Sequence, residues 1–304
     1  HLLPIAVTLQ KEDLDLDLPP LAEHVELVTP GDDLLKEHKR LQDSLVTRIK
    51  SDRFQKGKAG KLWGQMSELP SHLDRATQDV GNNPSGTYRI HYPPTPDKEL
   101  EIVAESEGFP KEHTLAKEQW MLDKVKAELA EDRSVMVLSW HVELLPRLQR
   151  IVESLGIKAP ILYADKVDPK KRQTWIDRQV LKPKHRVLLT NPVCIQTGLN
   201  NLVWFSSQIW MENPACNPIV YRQAVGRIFR IGQTKPTRVF MPIYDGTSQT
   251  QAHRLLLSKV AISMATDGLD AVSAFNAAGA GSQDGMAAMS VGQQLYKLLT
   301  GDHA

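Results

Sequence analysis

A chain of 304 residues is long enough for one large or two ordinary domains, each with its own core. With 41% hydrophobic and 24% charged residues it is neither disordered nor fibrous in composition, and it has no run of about eighteen apolar residues to span a membrane. The 37 basic and 36 acidic residues leave a net charge of +1, so global charge identifies no partner and any nucleic-acid contact has to be local.

The opening His1-Leu2-Leu3-Pro4 has no charged leader and no small-residue cleavage site, and a start in mid-pattern without Met is expected of a piece of a longer polypeptide. Residues 1–114 are polar and irregular, with Pro19-Pro20, Pro93-Pro94 and a Gly/Asn/Ser/Pro stretch at 81–86. One helix is expected within them, over Asp32–Arg53, where Leu34, Leu35, His38, Leu41, Leu45 and Ile49 share a face. His24, His38, His72, His91 and His113 lack ligand spacing and read as ordinary surface residues. Cys194 and Cys216 are too few for a disulfide framework or a four-ligand zinc site, and read as small buried hydrophobes of a reducing cytoplasm.

From about Thr114 helix and strand alternate. Helices are expected over Gln119–Glu131 (apolar at Trp120, Leu122, Val125 and Leu129), Leu144–Leu155 with Gly156 as its stop, Pro169–Leu181, Tyr221–Phe229 and Gln249–Ala265. Short apolar strands are expected over Val135–Ser139, Ala159–Tyr163, Val187–Thr190, Gln208–Met211 and Thr237–Tyr244. That alternation predicts an α/β fold with a doubly wound parallel sheet, whose working loops lie beyond the carboxyl ends of the strands. Residues 268–304 read as a flexible linker, rich in Ala, Gly and Ser at 277–285, before a short helix.

The most informative stretch is Tyr221-Arg222-Gln223-Ala224-Val225-Gly226-Arg227-Ile228-Phe229-Arg230-Ile231-Gly232-Gln233. Arg227 and Arg230 are three apart and project from one helix face; Gly226 removes a side chain where the helix would approach something closely; Gly232 suits a helix stop. Two guanidiniums on one face can grip an anionic group, which phosphoryl transfer rewards because its transition state spreads charge over the equatorial oxygens.

Gln223 through Gln233 resembles the sixth motif of Swi/Snf-type ATPases of helicase superfamily two: Gln, two residues, a small residue, Arg, two residues, Arg-Ile-Gly-Gln. Gly198-Leu199-Asn200 resembles the fifth motif, and Val137-Leu138-Ser139-Trp140-His141 the fourth. Asn213-Pro214 and Asn217-Pro218 stand where the family has a Trp-Asn-Pro-like turn, and Gly246-Thr247 with the following helix resembles the segment closing the lobe. Lys11–Pro20 followed by His24-Val25 resembles the bridge into such a lobe, and the wording around Thr190-Asn191-Pro192 is closest to phage-like and mobile-element members. The chain departs from the pattern at Phe229, where the family usually has His, at Gln249 for an acidic residue, and in lacking the double glycine of the fifth motif.

The resemblance implies a RecA-like second motor lobe over residues 115–267, with 1–114 as a bridge region trailing from a first lobe. A phosphate-cradling Gly-x-x-x-x-Gly-Lys-Ser/Thr and an Asp-Glu pair are absent, since Gly57–Leu62 has the wrong spacing and ends in Leu. Both belong to the first lobe, which is expected to be encoded upstream. The implied activity is that of an ATP-dependent DNA translocase or helicase, with ATP and Mg2+ held mainly by the missing lobe, double-stranded DNA and that N-terminal lobe as partners, and a cytoplasmic, bacterial or phage setting. Arg227 and Arg230 are implied as arginine fingers; Gln223, Gly226, Gly198 and Asn200 as nucleotide-side residues; and Thr190, Asn191, Lys170, Lys171 and Arg172 as nucleic-acid contacts. No metal ligands are assigned.

The segment Lys166–Arg186 has eight Lys and Arg against Asp168 and Asp177; it reads equally as a phosphate track or as a solvated helix face. A zinc-deaminase reading of His141-Val142-Glu143 with Pro214-Ala215-Cys216 fails because the second Cys of Cys-x-x-Cys is missing. A non-hydrolysing nucleic-acid-binding or docking module is the alternative from another class.

Overall fold

The computed structural model describes residues 18–51, 88–92, 101–107, 109, 113–195, 198–212, 218–247, 249, 250 and 253. The described residues fall into two compact units: one holds those within 18–28 and 116–243 with residue 253, the other those within 29–115 and 244–250. No helix among the described residues is long and apolar enough to cross a membrane.

The first unit is built on a six-stranded sheet. Its strands are β1 (Leu21–Val28), β4 (Val135–Leu138), β5 (Ile161–Leu162), β6 (Val187–Thr190), β7 (Ser207–Trp210) and β8 (Thr237–Tyr244), in the order β1-β8-β7-β4-β6-β5. The pairs β4–β6, β4–β7, β5–β6 and β7–β8 are parallel, and every residue of β4, β6 and β7 is buried. Burial on both faces explains the unbroken apolar runs read from the sequence: such strands are covered by helices above and below. One face packs on Met136, Leu188, Trp210, Tyr221 and Ile228, the other on Val135, Val137, Leu148, Val152 and Ile209. The fold is α/β and RecA-like.

The helices are α2 (Ala116–Ala130), α3 (Leu145–Glu153), α4 (Arg172–Ile176), α5 (Pro192–Ile195) and α6 (Pro218–Ile228). Pro169–Leu181 is not one regular helix: a 3-10 turn at Pro169–Lys171 leads into α4, and a π-turn over Asp177–Leu181 follows it. The buried face of α2 also departs from its apolar stripe, because Lys117, Glu118 and Glu128 lie beneath the surface beside Met121 and Val125. Each of these charges has its partner. Glu118 takes the Arg147 guanidinium in a two-pronged contact (one arm at 2.8 Å), Lys117 donates to the Met211 carbonyl, and Glu128 binds Arg133 at 2.7 Å and Arg238 at 2.9 Å. Burial opposes ionisation of Glu128, but hydrogen bonds from Ser207, Arg133 and Arg238 outweigh it and hold the carboxyl below its ordinary value. On β1, His24 stacks on Phe240 at 5.1 Å and Glu26 pairs with Lys124 at 2.9 Å. This strand, within the stretch read as a bridge, is the edge of the main sheet.

The second unit contains α1 (Asp32–Lys50) and an antiparallel pair, β2 (Tyr88–Tyr92) with β3 (Glu101–Ser106). Asp32 and Asp33 in the first turn of α1 and Arg48 and Lys50 in the last match the helix dipole. Leu34, His38, Leu41 and Leu45 form its buried face, while Leu35 is 37% exposed. His38 is therefore no surface residue: it is 1% exposed, and burial lowers its pKa to about 4. Arg48 grips Glu101 with both arms at 2.9 and 2.8 Å. The pair β2–β3 was not expected from the sequence. Gly57–Leu62, Gln196-Thr197, Asn213–Asn217 (with Cys216), the rest of Gln249–Ala265 and residues 268–304 lie outside the described residues.

Candidate functional site

The helix α6 ends at Ile228, two residues short of carrying both arginines on one helical face. Phe229 and Arg230 bend away, and Gly232 adopts φ +94°, a backbone conformation that favours glycine. The two arginines nevertheless converge. Arg227 and Arg230 each direct an Nη1 toward the Leu199 carbonyl at 3.4 Å, and Arg230 Nη1 donates to Asn200 Oδ1 at 2.7 Å. The Gly198–Asn200 loop, turned by Gly198 at φ +72°, thus meets the arginine turn. Burial, and then the neighbouring charge of Arg230, lower the pKa of Arg227, the signature of two cations sharing one small volume.

Gln223, Gly226 and Arg227 are spaced to lie on one face of α6, with Gln223 exposed and the other two half-buried. Among the described residues, a Cβ added at Gly226 would meet nothing within 4 Å. This glycine leaves a gap beside Arg227 on that face.

The sequence reading did not single out Gln233 as a structural part. Its side-chain amide donates to Val203 O at 3.2 Å, Phe205 O at 2.9 Å and Ile228 O at 3.0 Å, and its oxygen accepts from the N–H groups of Thr234 and Lys235, both at 3.0 Å. These contacts seat the arginine turn beside Phe205, just before β7, at the amino ends of β7 and β8. The arginine turn thus lies away from the carboxyl ends of the strands, where an open α/β sheet places its working loops.

The carboxyl ends hold a different constellation. Glu212 accepts from Ser139 Oγ at 3.1 Å and Trp140 N at 2.8 Å, while Asn191 Nδ2 donates to Trp140 O at 2.8 Å. The Ser139–Trp140 turn is thereby held by residues after both flanking strands, β6 and β7.

Three of the five expected nucleic-acid contacts are spoken for inside the protein. Thr190 is fully buried and donates to Leu162 O at 2.9 Å. Asn191 is 8% exposed and occupied by Trp140 O and by the N–H of Val193, at 2.9 Å. Arg172, also 8% exposed, spends its guanidinium on the carbonyls of Val167, Cys194 and Ala164 at 3.2–3.3 Å. Each of the three thus has internal partners in this structure, and a buried donor that loses its carbonyl partner is costly. Lys170 and Lys171 are exposed, on the 3-10 turn capped by Asp168. Cys194 is buried and free, its thiol pushed up by burial.

No family model matches the chain. A stretch of 117 residues, 38% of the chain, is 32% identical to the probable global transactivator of Orgyia pseudotsugata multicapsid polyhedrosis virus, and the chain spans 22% of that relative's length. Among solved structures, the C-terminal part of the Fun30 ATPase domain superposes with a TM-score of 0.55 at 14% identity, over 79% of this chain and 90% of that one. The Sulfolobus solfataricus SWI2/SNF2 ATPase core, solved with double-stranded DNA, gives a TM-score of 0.55 at 18% identity, over 87% of this chain and 50% of that one. The likeness is one of fold: an α/β, RecA-like sheet shared with these two ATPase structures.

Proposed function

We propose that the chain is the C-terminal motor lobe of an ATP-dependent DNA translocase, supplying two arginines to a nucleotide held by another lobe. The observation that carries this is the meeting of Arg227 and Arg230 at the Gly198–Asn200 loop, within a lobe of Swi/Snf-type fold. Paired guanidinium donors beside an open helix face fit an anionic phosphate. In this reading magnesium is held with the nucleotide by the other lobe. Bound magnesium ATP supplies the γ-phosphoryl group on which water acts.

This chain's own residues then do three things. Arg227 and Arg230 face the γ-phosphate and neutralise charge that grows as the phosphoryl group transfers, an effect worth roughly 10³–10⁵ in rate for such residues. Asn200 and the Leu199 carbonyl orient Arg230. Gln223, exposed on the same face, senses whether the lobes are closed, and closure and reopening move the motor along DNA as a hinge motion. Lys170 and Lys171 contribute sequence-independent phosphate contacts. The SWI2/SNF2 core solved with double-stranded DNA supports duplex DNA as the partner. Residues 1–114 serve as the bridge from the first lobe.

Reconstitution tests the reading. ATP hydrolysis is measured with double-stranded DNA for this chain alone, for a lobe carrying the phosphate-cradling loop alone, and for the two joined. Hydrolysis is expected only in the joined protein; turnover by this chain alone would overturn the proposal.

A further inference from the structure

We infer that Gln233 is a positioning residue that holds Arg230 at the nucleotide side by fastening two loops with one amide. This rests on the reading of Arg230 as a phosphate contact and extends it to a residue with no assigned role.

A helix end leaves carbonyls without intrahelical partners. At the end of α6 the Ile228 carbonyl is taken by Gln233 Nε2 at 3.0 Å, and the Arg230 carbonyl by Gln233 N at 3.0 Å. The same Nε2 reaches the Val203 and Phe205 carbonyls, which close the turn Asn201–Trp204 directly after Asn200. One amide thus ties the segment carrying Arg230 to the segment carrying its acceptor, Asn200. Three carbonyls around the nitrogen and two N–H groups around the oxygen settle which atom is which. Gln233 is buried, at 6% exposure, and its contacts with the Phe205 and Ile228 carbonyls lie where water does not replace them. Neither a hydrocarbon nor a carboxylate of the same size reproduces this set: the first leaves three carbonyls bare, and the second sets negative oxygen against them. Arg230 has a long, flexible side chain, so the place of its backbone decides where the guanidinium can reach. An error of about 1 Å in such a group costs about a hundredfold in rate.

The test uses the complete motor as wild type, Arg230→Ala, Gln233→Met and the double variant, with kcat and KM for ATP at saturating double-stranded DNA. Methionine keeps the side-chain length and removes the amide. Gln233→Met is expected to lower kcat about a hundredfold with KM changed less than about twofold. The double variant is expected to be no slower than Arg230→Ala alone, because a residue that acts through Arg230 has nothing left to position. Multiplying losses, or wild-type kcat in Gln233→Met beside a slow Arg230→Ala, would overturn the inference while leaving the arginine role intact. Wild-type kcat in Arg230→Ala would overturn both. Gln233→Glu gives a second arm if the Met variant fails to fold. Its carboxylate regains an O–H donor on protonation, so its kcat relative to wild type should rise at least about threefold from about pH 8 to about pH 6. A flat ratio would contradict the role.

Discussion

Arg230 donates from Nη1 to the side-chain oxygen of Asn200 at 2.7 Å, joining two residues thirty apart in sequence. The acceptor is a neutral amide, strong enough to orient a guanidinium and weak enough to yield it to a phosphate. A carboxylate at the same place would form a charge-assisted pair and compete with the nucleotide. Asn200→Asp is therefore expected to slow DNA-stimulated ATP hydrolysis by the complete motor about tenfold, and more than Asn200→Ala does. Equal rates for the Asp and Ala variants would show that Asn200 does not set the availability of Arg230.

Arg172 and the Lys170-Lys171 pair are adjacent in sequence and should behave oppositely. Arg172→Ala leaves three carbonyls without their donor, a loss of about 2–4 kcal/mol in chemical unfolding, with DNA affinity per folded molecule unchanged. Replacing Lys170 and Lys171 by Ala should leave stability unaltered, weaken duplex binding, and reduce the slope of log affinity against log salt by about 2. Full DNA affinity and an unchanged salt slope in the lysine variant would remove this turn from the DNA track.

His38 makes the second unit sensitive to acid. Its folded-state pKa, about 4, lies below the ordinary 6.5, so as pH falls the unfolded chain takes up the proton first. The stability this neutral imidazole contributes is complete above about pH 6.5 and is lost progressively down to about pH 4, roughly 3 kcal/mol in all. Urea unfolding across that window should show the loss, and His38→Leu should flatten it. An unchanged pH slope in the variant would mean that other groups carry the acid sensitivity.

The α/β alternation was readable because buried parallel strands are written as short apolar runs: Val187–Thr190 and Thr237–Tyr244 form with the expected bounds. Gly198, Asn200, Arg227 and Arg230 could be singled out because their spacing follows a known pattern, and they do come together. Other features were hidden for physical reasons. The pair β2–β3 has a register shift at Ile90/His91, which breaks the period of two that announces a strand. Lys117, Glu118 and Glu128 look like solvent residues until Met211, Arg147 and Arg133 arrive from distant segments. Thr190, Asn191 and Arg172 carry polar groups that suit phosphate contacts, and sequence cannot tell that nearby carbonyls and N–H groups already occupy them. Gln233 closes a motif in the sequence, and the backbone contacts of its side chain are ones no spacing reveals.

The central claim is that this lobe supplies the arginines for phosphoryl transfer. The most direct measurement is single-turnover ATP hydrolysis by the complete motor, saturated with double-stranded DNA, as wild type and with Arg227→Ala or Arg230→Ala. Each variant is predicted to bind ATP nearly as well as wild type and to hydrolyse it roughly 10³-fold more slowly. Hydrolysis at the wild-type rate by both variants would contradict the account.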